Sequence, residues 1–307
     1  MSSPKSRDPH SISTAPIVVG VDDSPAALSA VRWAAQTAAA RERELLIAHG
    51  TNVNVIVGVM GTFSSANSEV EQSIQAFGAD LVAQAREVAE KAAPGVMVRT
   101  EVSPQHPARM LIDLSATAHV TVLGGPAERR GLNRIGSILV SVASQAAGSV
   151  VVVRDDDPEW VDRRTAPVVV GVDGSPVSDA AVGAAFYEAS VRNARLVAVH
   201  AWSDLYLARY SGFIDTSIEA AQVTEAERAL LVERLAGWQE KYPDVEVTRD
   251  IHLADPVEHL LTWSEGAQLL VVGSRGRGGF VGMLLGSTSN ALVQRANCPV
   301  MVVHPES

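Results

Sequence analysis

The chain has little cysteine, no excess of basic charge and no long apolar run, and each shortage closes off a class of protein. One cysteine in 307 residues, Cys298, excludes an internal disulfide and any metal cluster built on thiolates, and points to a reducing compartment. Lys and Arg number 25 against 35 Asp and Glu, a formal net charge of -10. Nonspecific affinity for duplex DNA or RNA comes from clustered basic side chains, so nucleic acid is not the expected partner. No window approaches the ~18 consecutive apolar residues of a membrane span. Residues 1–14 are polar, contain Pro4 and Pro9, and lack the apolar core of a signal peptide, which leads us to expect a disordered tail on a cytoplasmic protein. The Gly-x-x-x-x-Gly-Lys-Ser/Thr phosphate loop is missing. So are paired carboxylates at usable spacing, a nucleophile with a base nearby, and a cluster of metal ligands, so that no catalytic or metal-binding residue is expected.

What is present is enough for two cores. Apolar residues make up 47% and charged residues 20%, and a chain of this length exceeds the size at which a single core stops growing. The sequence repeats itself. Pro16-Ile-Val-Val-Gly20-Val-Asp22-Asp-Ser24-Pro25 returns as Pro167-Val-Val-Val-Gly171-Val-Asp173-Gly-Ser175-Pro176, His49 returns as His200, and Gly136-Ser137 as Gly286-Ser287. Duplication explains this register. The charged stretch 155–164 between the copies reads as a linker, which places domain one at 15–154 and domain two at 165–307.

Each copy alternates strands with helices. Continuous apolar runs (Ile17 to Val21, Val168 to Val172) read as strands buried on both faces. Ser-Pro then starts a helix, the serine capping free amides and the proline fitting the first turn. Second strands follow at Leu45 to His49 and Leu196 to His200, and longer helices at Ala79 to Ala93 and Glu219 to Tyr242. A third strand, a short helix after Pro107 or Pro256, a fourth strand, a glycine loop, a helix and a final strand complete the unit. The expected fold class is α/β: two tandem, doubly wound, Rossmann-like parallel sheets of five strands each.

In such sheets a ligand binds beyond the carboxyl ends of the strands, where the chain order reverses. Three segments of domain two meet there: Gly171-Val172-Asp173 after strand one, His200-Ala201 ending strand two, and the run from Gly273 to Ser289 after strand four. Glycines let backbone amides approach phosphate oxygens, and the helix opening at Gly286-Ser287 offers unpaired amides and a positive dipole end. Hydroxyls on Ser287 and Ser289 can donate to phosphate.

The spacing Gly-x-x-Gly, nine residues, Gly-Ser resembles that of the universal stress protein family, in its tandem-domain, ATP-binding branch with an adenine nucleotide alpha hydrolase-like fold. The likeness covers nearly all of the chain outside the tail and linker. It implies ATP, with or without magnesium, as the ligand, held in domain two by Gly171, Val172, Asp173, Ala201, Gly273, Arg275, Gly276, Gly286, Ser287, Thr288 and Ser289. In domain one the corresponding residues are Gly20, Val21, Asp22, Gly50, Gly124, Gly136 and Ser137. There the loop is one residue shorter, Ala127 replaces the second glycine, Pro126 removes an amide, and Ile138-Leu139-Val140 replaces the hydroxyl run. Domain one is therefore expected to be the weaker site. The resemblance also implies that the two terminal strands pair within the chain as a pseudo-dimer, that two chains can associate again, and that a signalling partner reads the bound state.

Three functions follow from these residues. A nucleotide-dependent stress-response regulator fits a complete cradle without chemical machinery. A slow ATPase or nucleotidyl transferase, with Asp173 placing a divalent ion, is the enzymatic alternative. A dinucleotide enzyme fits poorly, because its glycine fingerprint belongs after strand one. Blander roles compete for several residues. Asp173 can serve as a turn residue, Ser287 as a helix cap, His49 and His200 as strand-end histidines satisfied by backbone, and Arg275 and Arg277 as solvated loop charges. Glu225, Glu227 and Glu233 read as solvent-face charges, the alanine stripe 26–40 and the helix ending near Trp238 as core, and Cys298 as a small buried hydrophobe.

Overall fold

A computed structural model describes residues 14–53, 64–125, 137–154, 163, 165–202, 216–276 and 285–304. The chain forms two compact units that part at Asp156 and Asp157. Unit one runs β1 (Ile17–Gly20), α1 (Pro25–Ala40), β2 (Leu45–Gly50), α2 (Ser64–Ala92), β3 (Val98–Ser103), α3 (Pro107–Ser115), β4 (Val120–Gly125), α4 (Ser137–Gln145) and β5 (Val150–Arg154). Unit two repeats the order with β6 (Val168–Gly171), α5 (Pro176–Val191), β7 (Leu196–Trp202), α6 (Thr216–Lys241), β8 (Val247–Leu253), α7 (Pro256–Ser264), β9 (Leu269–Gly273), α8 (Ser287–Arg295) and β10 (Val300–Val303).

In unit one the strands lie in the order β3-β2-β1-β4-β5, and in unit two β8-β7-β6-β9-β10. Every pairing within each unit is parallel. The order reverses between β1 and β4 and between β6 and β9, and those are the switch points where a doubly wound sheet opens a crevice. α1 packs with α2, and α3 with α4. Covered on both faces, the central strands are apolar along their length: Ile17, Val18 and Val19 are fully buried, as are Val168, Val169 and Val170.

Proline and a short polar residue set the helix starts. Ser24 and Ser175 cap α1 and α5 by accepting from Ala27 N (3.2 Å) and Ser178 N (3.2 Å), with proline in the first turn of each. His106 and Asp255 do the same for α3 and α7. α2 begins fifteen residues before the Ala79 expected, at Ser64. It passes through Gly78, where a Cβ would come within 2.9 Å of Val102 and 3.1 Å of His49. That glycine marks a close approach of helix to strand ends rather than a helix boundary.

Candidate functional site

In unit two the residues that follow β6 and β9 fold onto one another. Asp173 leaves β6 in a side-chain turn, its Oδ1 accepting the Ser175 amide at 2.9 Å while Gly174 takes a φ of 77° that favours glycine. Its Oδ2 lies against Gly276, so that a Cβ on Gly276 would collide with the carboxylate. The acid after the first strand of the unit and the second glycine of the loop are thus direct neighbours. The loop's start is tied to α8 by two further bonds: Gly286 N donates to Ser274 O at 2.8 Å, and Ser289 Oγ donates to Gly273 O at 2.5 Å.

The Ser289 hydroxyl proton is thus used inside the protein, and the residue is 4% exposed, so this bond braces the start of α8 against the end of β9. Ser287 is exposed and Thr288 half-buried in the first turn of α8, and neither hydroxyl has a hydrogen bond among the described residues. Arg275 and Gly276 are exposed beside them, and Arg277 lies outside the described residues.

The N-terminus of α8 differs from four other helix starts. α1, α3, α5 and α7 each have a side chain bonded to first-turn amides, whereas Gly286, the N-cap of α8, supplies none. A Cβ built on Gly286 meets nothing nearer than 3.4 Å, and its φ is an ordinary -65°. Among the described residues, neither packing nor backbone conformation calls for glycine there. An uncapped helix start with bare backbone in front is what an anion needs in order to reach amides and dipole together.

Val172 and Ala201 stand at the ends of β6 and β7. Val172 is fixed by His200, which is 3% exposed. The ring Nδ1–H donates to Val172 O at 2.6 Å, and Nε2 lies 2.8 Å from Glu227 Oε2. Glu227 is therefore not a plain solvent-face charge. Spacing along its own helix could not reveal a partner on a strand 27 residues earlier.

Unit one encloses a cavity of about 320 Å³ at the corresponding switch point, near the lower end of the ~300–1,000 Å³ typical of small-molecule sites. Gly20, Val21, Asp22, Gly50 and Gly124 line it, so five of the seven residues expected in domain one converge. Gly136 lies outside the described residues, as does the side chain of Ser137. Asp22 Oδ1 accepts from both the amide (3.1 Å) and the hydroxyl (2.5 Å) of Ser24. His49 repeats the clamp, its Nδ1–H donating to Val21 O at 2.8 Å. Sequence reasoning missed the walls: Ala26 and Ala27 from α1, Pro107, Met110 and Leu111 from α3, and Ile138 and Leu139 from α4. Gly124 has a packing reason of its own, since a Cβ there would come within 2.5 Å of the Ala26 backbone.

Both units are parallel, doubly wound α/β domains, and in unit two the strand-end crevice brings an acidic turn, a glycine loop and a helix start together. The chain belongs to the universal stress protein family: the family model matches residues 14–154 and again 165–304. It is 40% identical over 297 residues to a universal stress protein of Mycolicibacterium smegmatis, covering 94% of this chain and 97% of that one. A universal stress protein of Mycobacterium tuberculosis is 39% identical over 290 residues, covering 93% and 95%. Among solved structures, a universal stress protein from Archaeoglobus fulgidus superposes with a TM-score of 0.67 at 18% identity, over 94% of this chain and 98% of that one. Among the described residues no helix is long and apolar enough to cross a membrane.

Proposed function

We propose that the chain binds ATP at the crevice of unit two and serves as a nucleotide-dependent regulator of a stress response. The observation that carries this reading is the meeting of the Asp173 carboxylate, Gly276 and the uncapped start of α8. Phosphates laid on the α8 amides gain a partly desolvated, charge-assisted site without a lysine. Ser287 and Thr288 add hydroxyl donors. Magnesium carried with the phosphates would be met by Asp173. The glycine loop follows β9 rather than β6, which favours a mononucleotide over a dinucleotide.

Unit one is the weaker second site. Its cavity supports entry of the adenine and ribose, while the shortened loop with Pro126 and Ala127 supplies fewer amides to the phosphates. Regulation follows from binding alone: a ligand that prefers one conformation shifts the population, and a partner protein reads the shift.

Mass spectrometry of small molecules released by denaturing the untreated protein tests the proposal. The expected result is an adenine nucleotide, with added Mg-ATP raising the thermal midpoint by several degrees, as ligand at about 100 times its Kd stabilises by roughly 2.7 kcal/mol. Protein that carries no nucleotide and gains no stability from ATP does not have this function.

A further inference from the structure

Away from the strand-end crevice described above, three ligand-type side chains converge between β8 and α7. Asp250 and His252 sit two apart on β8, which puts them on one face of the strand. His259 and Trp263 sit four apart on α7, which puts them on one face of the helix. The two faces meet at the Asp250 carboxylate. His252 Nε2 is 2.8 Å from Oδ1, His259 Nε2 is 2.7 Å from Oδ2, and the Trp263 indole N–H donates to Oδ2 at 2.5 Å. The imidazole rings lie 4.8 Å apart, and all three donor atoms fall within 4.8 Å of one another.

We propose that Asp250, His252 and His259 form a binding site for a divalent transition cation of the zinc class. Two imidazoles and a carboxylate are the borderline donor set that such ions select, with solvent left for a fourth position. Tetrahedral bonds of about 2.0–2.2 Å bring donor atoms to roughly 3.4 Å of each other, so a modest swing of one ring completes the site. His252 can make that swing, because its side chain is 57% exposed. Asp250 and His259 are better held, with side chains 14% and 20% exposed. Trp263 donates to Oδ2 and so fixes the orientation of the carboxylate, which is the outer-shell support that ligating carboxylates usually have.

The repeat supplies an internal control. By strand register Asp250 and His252 correspond to Glu101 and Ser103, and by the helix prolines His259 and Trp263 correspond to Met110 and Leu114. Unit one builds the same strand and helix with neither histidine of the cluster. The scaffold folds without it, so the convergence in unit two is free to serve a ligand.

The test uses the full chain stripped with chelator and titrated with Zn2+ alone, without nucleotide, by calorimetry and by competition with a chromophoric chelator. One zinc per chain is expected, with Co2+ giving the intense visible d–d absorption of a four-coordinate site. His252→Ala and His259→Ala should each weaken binding at least tenfold and abolish that absorption, and Trp263→Phe should weaken it about tenfold. His252→Ala removes a mostly exposed ring and so leaves the fold intact. Zinc uptake unchanged in His252→Ala, or no uptake by the native chain, overturns the proposal. The ATP site has its own readout, released nucleotide, which this titration does not touch.

Discussion

At the scale of the residue, the glycines of the loop separate by what a side chain would meet. Gly276 excludes a Cβ because the Asp173 carboxylate is there, and Gly124 because the α1 backbone is. Gly286 excludes nothing, which makes it the informative position for ligand binding. Cys298 is equally decided by surroundings: burial pushes its thiol up to about 12, with Arg163's charge and a backbone bond at Leu270 opposing. The thiolate fraction at pH 8 is then on the order of a thousandfold below that of a free cysteine. Native protein should accordingly resist iodoacetamide at pH 8 and react once urea is added; rapid alkylation of the folded chain would contradict the buried placement. Asp173, Gly276 and the Gly286-Ser287 helix start were legible from spacing. Ser289's inward bond was not, since a serine's rotamer is chosen by the nearest carbonyl and sequence does not say which carbonyl that is.

Among the elements, the helix starts were the most legible, because capping is local. Ser24 and Ser175 each lie three residues before the amide they accept from, and the chemistry needs no distant partner. The long helices were less so. In unit two, α5 and α6 pack through Phe186, Trp238 and Tyr242, with ring centroids 6.0–6.5 Å apart. Gly183 makes room for them: a Cβ would come within 2.5 Å of the Trp238 ring. Alanine favours a helix by about 1 kcal/mol over glycine, but forcing a methyl against a rigid stacked ring costs about 1–3 kcal/mol. Gly183→Ala should therefore lose about 1 kcal/mol by urea denaturation, and the same change in a Trp238→Leu background should gain about as much. A stabilised single variant would mean that the ring moves aside freely.

For the whole molecule, duplication gave one fold twice and two unequal loops. Gly286→Glu places a carboxylate over the α8 amides, where phosphates are proposed to sit, and among the described residues a Cβ at that position meets only ordinary van der Waals contacts. Bound nucleotide should fall by at least tenfold at the unit-two site, while the corresponding Gly136→Glu should remove only a minor share of the total, both read by equilibrium dialysis with labelled ATP. Equal losses would mean that the units bind alike. The sequence by itself determined the strand and helix order, the repeat, the switch points and the acid, glycine and helix-start pieces of the cradle, because periodicity, capping and glycine spacing are written within a few residues of one another. Only the tertiary structure decided that Glu227 holds His200, that Met110 and Leu111 wall the unit-one cavity, and that His259 of α7 meets the Asp250 carboxylate of β8. Those contacts join a strand to a helix, and no local pattern encodes which of many side chains will meet when the two pack.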